Sequence, residues 1–185
     1  MVKYYLAPLC FVLFFCISIQ HVYCSTGKGY QEKGIIVDTT RCKSNPKFSY
    51  ALYLPTNYSD SIKWPVIFVF DPGARGKLAV SGFVLAAEKL GYIIVCSNNS
   101  RNQLPASELS KVIHYMFMDV EERFSIDKNR IYTSGFSGGS RVAAMVALQN
   151  NSISGVIACG AGFPAENDFR ISKNGNSERG LSPVH

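Results

Sequence analysis

The chain has 185 residues, with 19 Lys and Arg against 13 Asp and Glu and a net charge of +6. The basic side chains are scattered along the sequence, so their excess indicates solubility and argues against a nucleic-acid partner. Three of the six cysteines remain once the N-terminal leader described next is set aside, and no two of them have metal-ligand spacing. The composition therefore predicts one globular domain without a metal ion, a disulfide framework or a cofactor.

The first 24 residues have the pattern of a secretory signal peptide. Lys3 provides the positive start, residues 6–19 are mostly apolar, and Val22 and Cys24 stand at the −3 and −1 positions of a cleavage site. The apolar stretch is shorter than the ~20 residues that a membrane-spanning helix needs. We therefore expect a secreted or periplasmic protein, and the alternative is an uncleaved leader that anchors the chain to a membrane.

Beyond the leader, apolar periodicity predicts strands and helices in alternation. A short loop separates the first two strands and favours antiparallel pairing, and the second strand has a period-two pattern at Tyr50, Leu52 and Leu54. Gly91 is a helix C-cap signal. Predicted strands cover 34–39, 48–55, 64–70, 92–97, 130–134 and 153–159, and predicted helices cover 80–90, 108–124 and 138–148.

This alternation predicts the fold class. Strands that are apolar throughout and alternate with helices are typical of a parallel sheet covered on both faces. The predicted fold is α/β, a three-layer sandwich in which a mostly parallel, twisted sheet lies between helices, and its core covers 25–165. Residues 166–185 are predicted to be an irregular or disordered tail. Cys96 and Cys159 lie in apolar runs and are predicted to be buried structural thiols.

Residues 131–144, IYTSGFSGGSRVAA, place a Gly-x-Ser-x-Gly motif between a predicted strand and a predicted helix. This context is typical of a nucleophile elbow, in which a tight, strained turn exposes the serine side chain. Ser137 is the predicted nucleophile, because Ser134 ends the strand and Ser140 lies inside the helix. The alternative is a glycine-rich turn whose serine is buried or caps the helix.

The residues around the serine fit the same interpretation. Side chains at Gly135 and Gly139 would collide with the neighbouring strand or helix, so glycine is expected at both positions. The amide of Gly138 and the positive end of the helix that begins there point to where an oxyanion would form.

Two segments, YALYLPTNYSDSIKWPVIFVFDPGARG and DKNRIYTSGFSGGSRVAAMVAL, resemble the α/β-hydrolase superfamily. They are most similar to the secreted esterases grouped with polyhydroxybutyrate depolymerases, feruloyl esterases and dienelactone hydrolases. The resemblance covers about residues 48–165. It implies that Ser137 is the nucleophile and that Gly138 is one oxyanion-hole donor.

The resemblance also implies a second oxyanion-hole donor from the loop after the third strand. Pro72 has no N–H to donate, so Gly73 is the predicted backbone donor, with Ala74 as the alternative. Asp71 stands where such enzymes often carry a histidine, and we interpret it as a solvated turn residue without a catalytic role.

The sequence contains few candidates for the acid and the histidine that would activate Ser137. In this fold an acid and then a histidine follow the nucleophile along the chain. Asp168 and His185 have the correct order, but His185 is the last residue, where an imidazole is poorly fixed. His114 precedes the nucleophile and is predicted to be a partly buried helix residue. We therefore expect an incomplete triad and a core whose C-terminal part is missing.

These observations predict a secreted serine hydrolase that cleaves carboxylic esters through an acyl-enzyme at Ser137, with activity impaired or absent in this chain because the acid and histidine are not evident. The expected substrate is a small-molecule or polysaccharide-linked ester. A membrane would be contacted only through an uncleaved leader. The alternatives are a non-catalytic hydrolase-like module that binds a glycan or an ester, and a peptidase of the prolyl-oligopeptidase type.

Overall fold

The computed structural model describes residues 32–161, which form a six-stranded sheet with helices on both faces. The strands are β1 (Ile36–Arg41), β2 (Ser49–Tyr53), β3 (Trp64–Phe70), β4 (Ile93–Ser97), β5 (Ile126–Phe136) and β6 (Ile153–Cys159). The helices are α1 (Gly76–Ser81), α2 (Val84–Leu90), α3 (Ala106–Arg123) and α4 (Gly138–Gln149).

The strand order across the sheet is β1-β2-β4-β3-β5-β6. Strand β2 pairs antiparallel with β1 and β4, whereas β3 pairs parallel with β4 and β5, and β5 pairs parallel with β6. The predicted mostly parallel sheet and the predicted antiparallel first pair are therefore confirmed. Because every parallel strand points the same way, the loops after β3, β4 and β5 all lie at one edge of the sheet.

Two hydrophobic clusters fill the space between the sheet and its helices. Strand β2 shows how they are separated, because Tyr50 and Leu52 contribute to one cluster while Ala51 and Tyr53 contribute to the other. The first cluster includes residues of α3 and α4, and the second includes residues of α1 and α2. Successive side chains of a strand point to opposite faces, so a strand buried on both sides carries apolar residues at every position. The predicted three-layer sandwich is thus confirmed.

Some predicted element boundaries were wrong. The helix predicted over 80–90 is two short helices, α1 and α2, separated at Gly82 and Phe83. Glycine disfavours the helix interior, and the break lets Phe83 pack against the second cluster. Strand β5 is longer than the predicted 130–134. The predicted C-cap is confirmed, because Gly91 ends α2 in the left-handed conformation with φ of 71°.

Two burial predictions were also wrong. Cys96 is buried as expected, but Cys159 is exposed because β6 is the last strand of the described sheet. His114 lies within α3 but is exposed rather than partly buried, since the apolar stripe of this helix runs through Val112, Met116 and Val120.

Other predictions lie outside the described residues. These are the signal peptide, the tail over 166–185 and the triad candidates Asp168 and His185. Among residues 32–161, no helix is both long enough and apolar enough to span a membrane.

Candidate active site

Ser137 occupies the turn that joins β5 to α4. Its backbone has φ of 52° and ψ of −119°, a conformation that a residue with a side chain rarely adopts. The Ser137 N–H donates a hydrogen bond to the carbonyl of Cys159 on β6 (2.8 Å), and the residue is half-buried. The chain therefore forms the strand, sharp turn and helix that the Gly-x-Ser-x-Gly motif predicts.

The glycines on either side of Ser137 allow this turn because the chain is crowded there. A Cβ at Gly135 would overlap the backbone of Gly139 in α4, and a Cβ at Gly139 would overlap the carbonyl of Phe70 at the end of β3. Side chains at either position would push α4 away from the sheet. Glycine at both sites is thus a consequence of close approach between backbones.

The two neighbouring serines have other roles. The Ser134 hydroxyl is buried and donates to the carbonyl of Ile157 (3.0 Å), and the Ser140 hydroxyl is buried and donates to the carbonyl of Ala161 (3.3 Å). Among the described residues, no side chain forms a hydrogen bond with the hydroxyl of Ser137. Of the three serines, only Ser137 has a hydroxyl that is free of such internal bonds.

Backbone strain is concentrated at this edge of the sheet. Within residues 32–161, three non-glycine residues have positive φ: Ala74 (57°), Gln103 (61°) and Ser137 (52°). Each lies in a different loop, the first after β3, the second after β4 and the third after β5. Residues held in rarely populated conformations cluster at functional sites, so their convergence marks this edge as the candidate site.

The loop after β3 is organised by Asp71, which the structure shows to be buried and not a solvated turn residue. Its Oδ1 accepts hydrogen bonds from the N–H groups of Gly73 (2.8 Å) and Arg75 (3.2 Å), and its two oxygens accept from the Arg75 guanidinium (2.9 Å each). Burial alone would raise the pKa of Asp71, but these bonds outweigh it and hold the pKa below its ordinary value. Asp71 is therefore an ionised anchor for the loop.

The hydrogen bonds of Asp71 occupy the backbone amides that were predicted to supply the second oxyanion-hole donor. The Gly73 N–H is already bonded to Asp71, and the Ala74 N–H donates to the Asp71 carbonyl (3.2 Å). Neither amide is left open toward a ligand. The role of Gly73 therefore stays a prediction, and it would require the bond to Asp71 to be shared or broken.

The loop after β4 is held against the loop after β3. The Asn102 N–H donates to the carbonyl of Pro72 (2.9 Å), and Gly73 and Arg101 form an isolated antiparallel bridge. The carboxamide of Asn102 reaches Gly138, where it fills the space that a Cβ would occupy. Asn102 thus lies beside the residue that follows the candidate nucleophile.

Sequence reasoning missed both Asp71 as an anchor and Asn102 as a neighbour of the elbow. The first had a signal, since an aspartate in a turn commonly accepts a hydrogen bond from the backbone N–H two residues further on. The second could have been sought among the polar residues after β4, because loops at the carboxyl ends of parallel strands converge.

No general base forms a hydrogen bond with the Ser137 hydroxyl within the described part of the chain. His114 is the one histidine between residues 32 and 161, and it lies midway along α3 with its ring against Tyr115. Over the same range, no group of three His, Cys, Asp or Glu residues is arranged to hold a metal ion. The described residues thus supply a positioned serine and the N-terminus of a helix, and they do not include an activating base hydrogen-bonded to that serine.

Neither a protein-family model nor a curated protein matches the sequence. Solved structures do match the fold. An S-formylglutathione hydrolase from Staphylococcus aureus has a TM-score of 0.56 at 11% identity, over 78% of this chain and 66% of that one. A thermostable esterase has a TM-score of 0.54 at 16% identity, over 69% of this chain and 41% of that one. A CE1 ferulic acid esterase from the anaerobic fungus Anaeromyces mucronatus has a TM-score of 0.51 at 16% identity, over 75% of this chain and 65% of that one.

At these identities the likeness concerns the fold alone. The chain spans less than half the length of the thermostable esterase and of an esterase from Pyrobaculum calidifontis, of which it covers 41% and 45%. The described residues therefore correspond to a part of the fold that these larger proteins share.

Proposed function

We propose, from a core that has the α/β-hydrolase fold, that this protein is a serine hydrolase that cleaves carboxylic esters through an acyl-enzyme on Ser137. The observation that carries the proposal is the position of Ser137, on a strained and accessible turn at the N-terminus of the 12-residue helix α4. A helix N-terminus presents unpaired N–H groups and a partial positive charge, which favour an anion beside it.

The proposed reaction uses these groups in sequence. The Ser137 Oγ attacks the ester carbonyl carbon, its proton passes to a base, and the carbonyl oxygen becomes an oxyanion that accepts a hydrogen bond from the Gly138 N–H. Collapse of this intermediate releases the alcohol and leaves an acyl group on Ser137, which water then removes. The base and its acid lie outside residues 32–161 in this proposal, and Asp168 followed by His185 has the required chain order.

The substrate is proposed to be a small-molecule or polysaccharide-linked ester. An open cavity of about 550 Å³ adjoins the loop after β3 and is within the size range of small-ligand sites. Its lining includes Ala74 and Arg75 from that loop and Asn98 from the loop after β4, but not Ser137, Gly138 or Asn102, so the cavity lies beside the candidate nucleophile's loops and does not contain the nucleophile itself. The similarity in fold to a ferulic acid esterase supports the same class of substrate, and the N-terminal signal pattern supports action outside the cytoplasm.

Labelling with a fluorophosphonate tests the nucleophile directly. We expect the folded protein to be labelled on the peptide that contains Ser137, and we expect Ser137→Ala to abolish both the labelling and the hydrolysis of p-nitrophenyl acetate. The matched control is Ser110→Ala, because Ser110 is exposed on α3 and bonds only within its helix. Hydrolysis of ester but not of chromogenic peptide substrates would separate an esterase from a prolyl-oligopeptidase-type peptidase.

A non-catalytic binding module is the second candidate, because no base among the described residues forms a hydrogen bond with the Ser137 hydroxyl. Losing the catalytic base of a serine hydrolase costs roughly 10⁶-fold in turnover. A folded protein that binds an ester or a glycan but whose Ser137 stays unlabelled would support the binding module and overturn the hydrolase proposal.

A further inference from the structure

We infer that the side chain of Asn102 is the second oxyanion donor of this site, in place of the backbone amide of Gly73. The inference rests on the proposed function, since an oxyanion forms only if Ser137 attacks a carbonyl group. The inferred donor lies in the loop that follows β4, whereas the resemblance to esterases implies a donor in the loop that follows β3.

The position of the carboxamide is the first reason. A Cβ built on Gly138 would lie 2.9 Å from Cγ and 3.3 Å from Nδ2 of Asn102, and it would overlap Oδ1. The carboxamide is therefore packed against the Cα of Gly138, the residue whose N–H is the predicted first donor. The absence of a side chain at residue 138 creates the space that Asn102 fills.

The second reason is that the carboxamide is free to donate. Within residues 32–161, no hydrogen bond involves the side chain of Asn102, and the residue is exposed. Rotation about χ2 can present either Oδ1 or Nδ2 at a given position, and the Nδ2 group carries two hydrogens. By contrast, the Gly73 N–H is already bonded to the ionised carboxylate of Asp71.

The third reason is that the backbone of this loop is fixed although the side chain is not. The Ser97 hydroxyl accepts hydrogen bonds from the N–H groups of Asn99 (3.1 Å) and Ser100 (2.9 Å), and the Asn102 N–H is bonded to the Pro72 carbonyl (2.9 Å). Gln103, the next residue, is held at φ of 61°. The backbone of Asn102 is therefore in place before the reaction, and rotation of its side chain is the movement that remains when the charge develops.

The step assigned to Asn102 is a hydrogen bond. As the bond between Ser137 Oγ and the carbonyl carbon forms, the electron pair of the C=O π bond moves onto the oxygen, and the proton of Oγ passes to the base. Asn102 Nδ2–H and Gly138 N–H both donate to that oxygen while it carries the negative charge. When the C=O bond reforms, the alcohol leaves with a proton from the protonated base.

Substitution of Asn102 tests this role by kinetics. We expect Asn102→Ala to lower kcat for p-nitrophenyl acetate by about 10²–10³-fold, the usual effect of losing one oxyanion donor, with KM changed by less than about 2-fold. The rate constant for labelling of Ser137 by a fluorophosphonate should fall as well, since the phosphonyl oxygen occupies the same position. Asn102→Asp should lose at least as much, because its carboxylate repels the developing charge.

The matched control is Gln103→Asn, which changes the adjacent side chain of the same loop. Asparagine tolerates the positive φ of this position. This variant should retain the kinetics of the unaltered protein. Thermal unfolding of each variant shows whether the fold is kept.

A double-mutant cycle with Gly138→Ala tests the contact itself. The added methyl group would displace the carboxamide while the N–H of residue 138 remains, so Gly138→Ala alone should lower the rate about as much as Asn102→Ala. In the Asn102→Ala background the same substitution should have an effect of less than about 3-fold, because the displaced group is already absent. Independent, multiplicative effects would contradict the contact.

The outcomes separate this inference from the proposed function. If Ser137 of the unaltered, folded protein is not labelled, the hydrolase proposal fails and the role of Asn102 fails with it. If Ser137 is labelled and Asn102→Ala changes the labelling rate and kcat by less than about 3-fold, or raises KM alone, only the role of Asn102 is overturned.

Discussion

The described residues contain two Asp–Arg ion pairs with the same four-residue spacing, one in a helix and one in a loop. Asp119 and Arg123 lie on α3, where their side chains are 0% and 10% exposed. Asp71 and Arg75 lie at the candidate site, where the side chain of Asp71 is 7% exposed and that of Arg75 is 54% exposed. The same pair of residue types is therefore almost fully buried in α3 and partly exposed to solvent at the candidate site.

The buried pair joins separate parts of the fold. Asp119 accepts hydrogen bonds from the Arg123 guanidinium, from the hydroxyl of Tyr50 on β2 (2.6 Å) and from the N–H of Lys43 (2.8 Å). Burial would raise the pKa of Asp119, but these bonds hold it below its ordinary value. Arg123 also donates to the carbonyl of Arg41 (3.1 Å), so the network ties α3 to the first two strands.

The loop pair acts locally. All four hydrogen bonds to the side chain of Asp71 come from Gly73 and Arg75, so the pair shapes one turn and joins no distant elements. The exposed guanidinium is solvated, which reduces the strength of the ion pair. The comparison suggests that the buried pair contributes mainly to stability and that the loop pair contributes mainly to the geometry of the site.

The largest expected effect is that of Asp119→Ala. Removing this carboxylate leaves the buried Arg123 charge and the Tyr50 hydroxyl without their partner, and we expect the free energy of unfolding to fall by about 3–5 kcal/mol. Urea titration with a constant m-value measures the change. Asp127→Ala, which breaks the more exposed pair with Arg130, is the control and should lower the free energy of unfolding far less than Asp119→Ala. Equal losses in the two variants would contradict the comparison.

A smaller change in stability is expected for Asp71→Ala. We expect a loss of about 1–2 kcal/mol, because the donors released in the loop can bond to water. The rate of fluorophosphonate labelling of Ser137 should nevertheless fall about 10-fold or more, since a shifted loop misplaces the Asn102 that it holds. Glu108→Ala, which breaks an exposed pair with Lys111, should change neither quantity. Faster labelling of Asp71→Ala would indicate that the freed Gly73 amide is the better donor.

The smallest expected effect concerns the strain at Ser137. Glycine adopts positive φ readily, so Ser137→Gly should raise the free energy of unfolding by about 1 kcal/mol while it removes the nucleophile. Ser137→Ala keeps a Cβ in the same conformation and should leave stability nearly unchanged. Paired urea titrations compare the two variants. If both variants have the same free energy of unfolding, the turn at Ser137 is not strained. The contrast between the hydrogen-bonded network around Asp119 and a strained candidate site would then be wrong.

Features that depend on neighbouring residues could be predicted from the sequence. The apolar runs of β3 and β4 indicate strands buried on both faces, and Gly91 indicates the end of α2. The strand, glycine-flanked serine and helix around Ser137 form a single continuous segment. Its tight turn follows from the short distance along the chain between Gly135 and Gly139, which the sequence displays directly.

Features that depend on contacts between distant segments were decided by the tertiary structure. The sequence predicts that Asp71 is a solvated turn residue, but it is buried where loops converge. Asn102 contacts Gly138 only because β4, β3 and β5 are neighbours in the sheet. Cys159 lies in an apolar run yet is exposed, because burial depends on what covers a strand. Local sequence patterns indicate which backbone conformation a segment favours and which side of a helix or strand is apolar. Burial and hydrogen-bond partners depend on which elements pack together, and that is set by the fold as a whole.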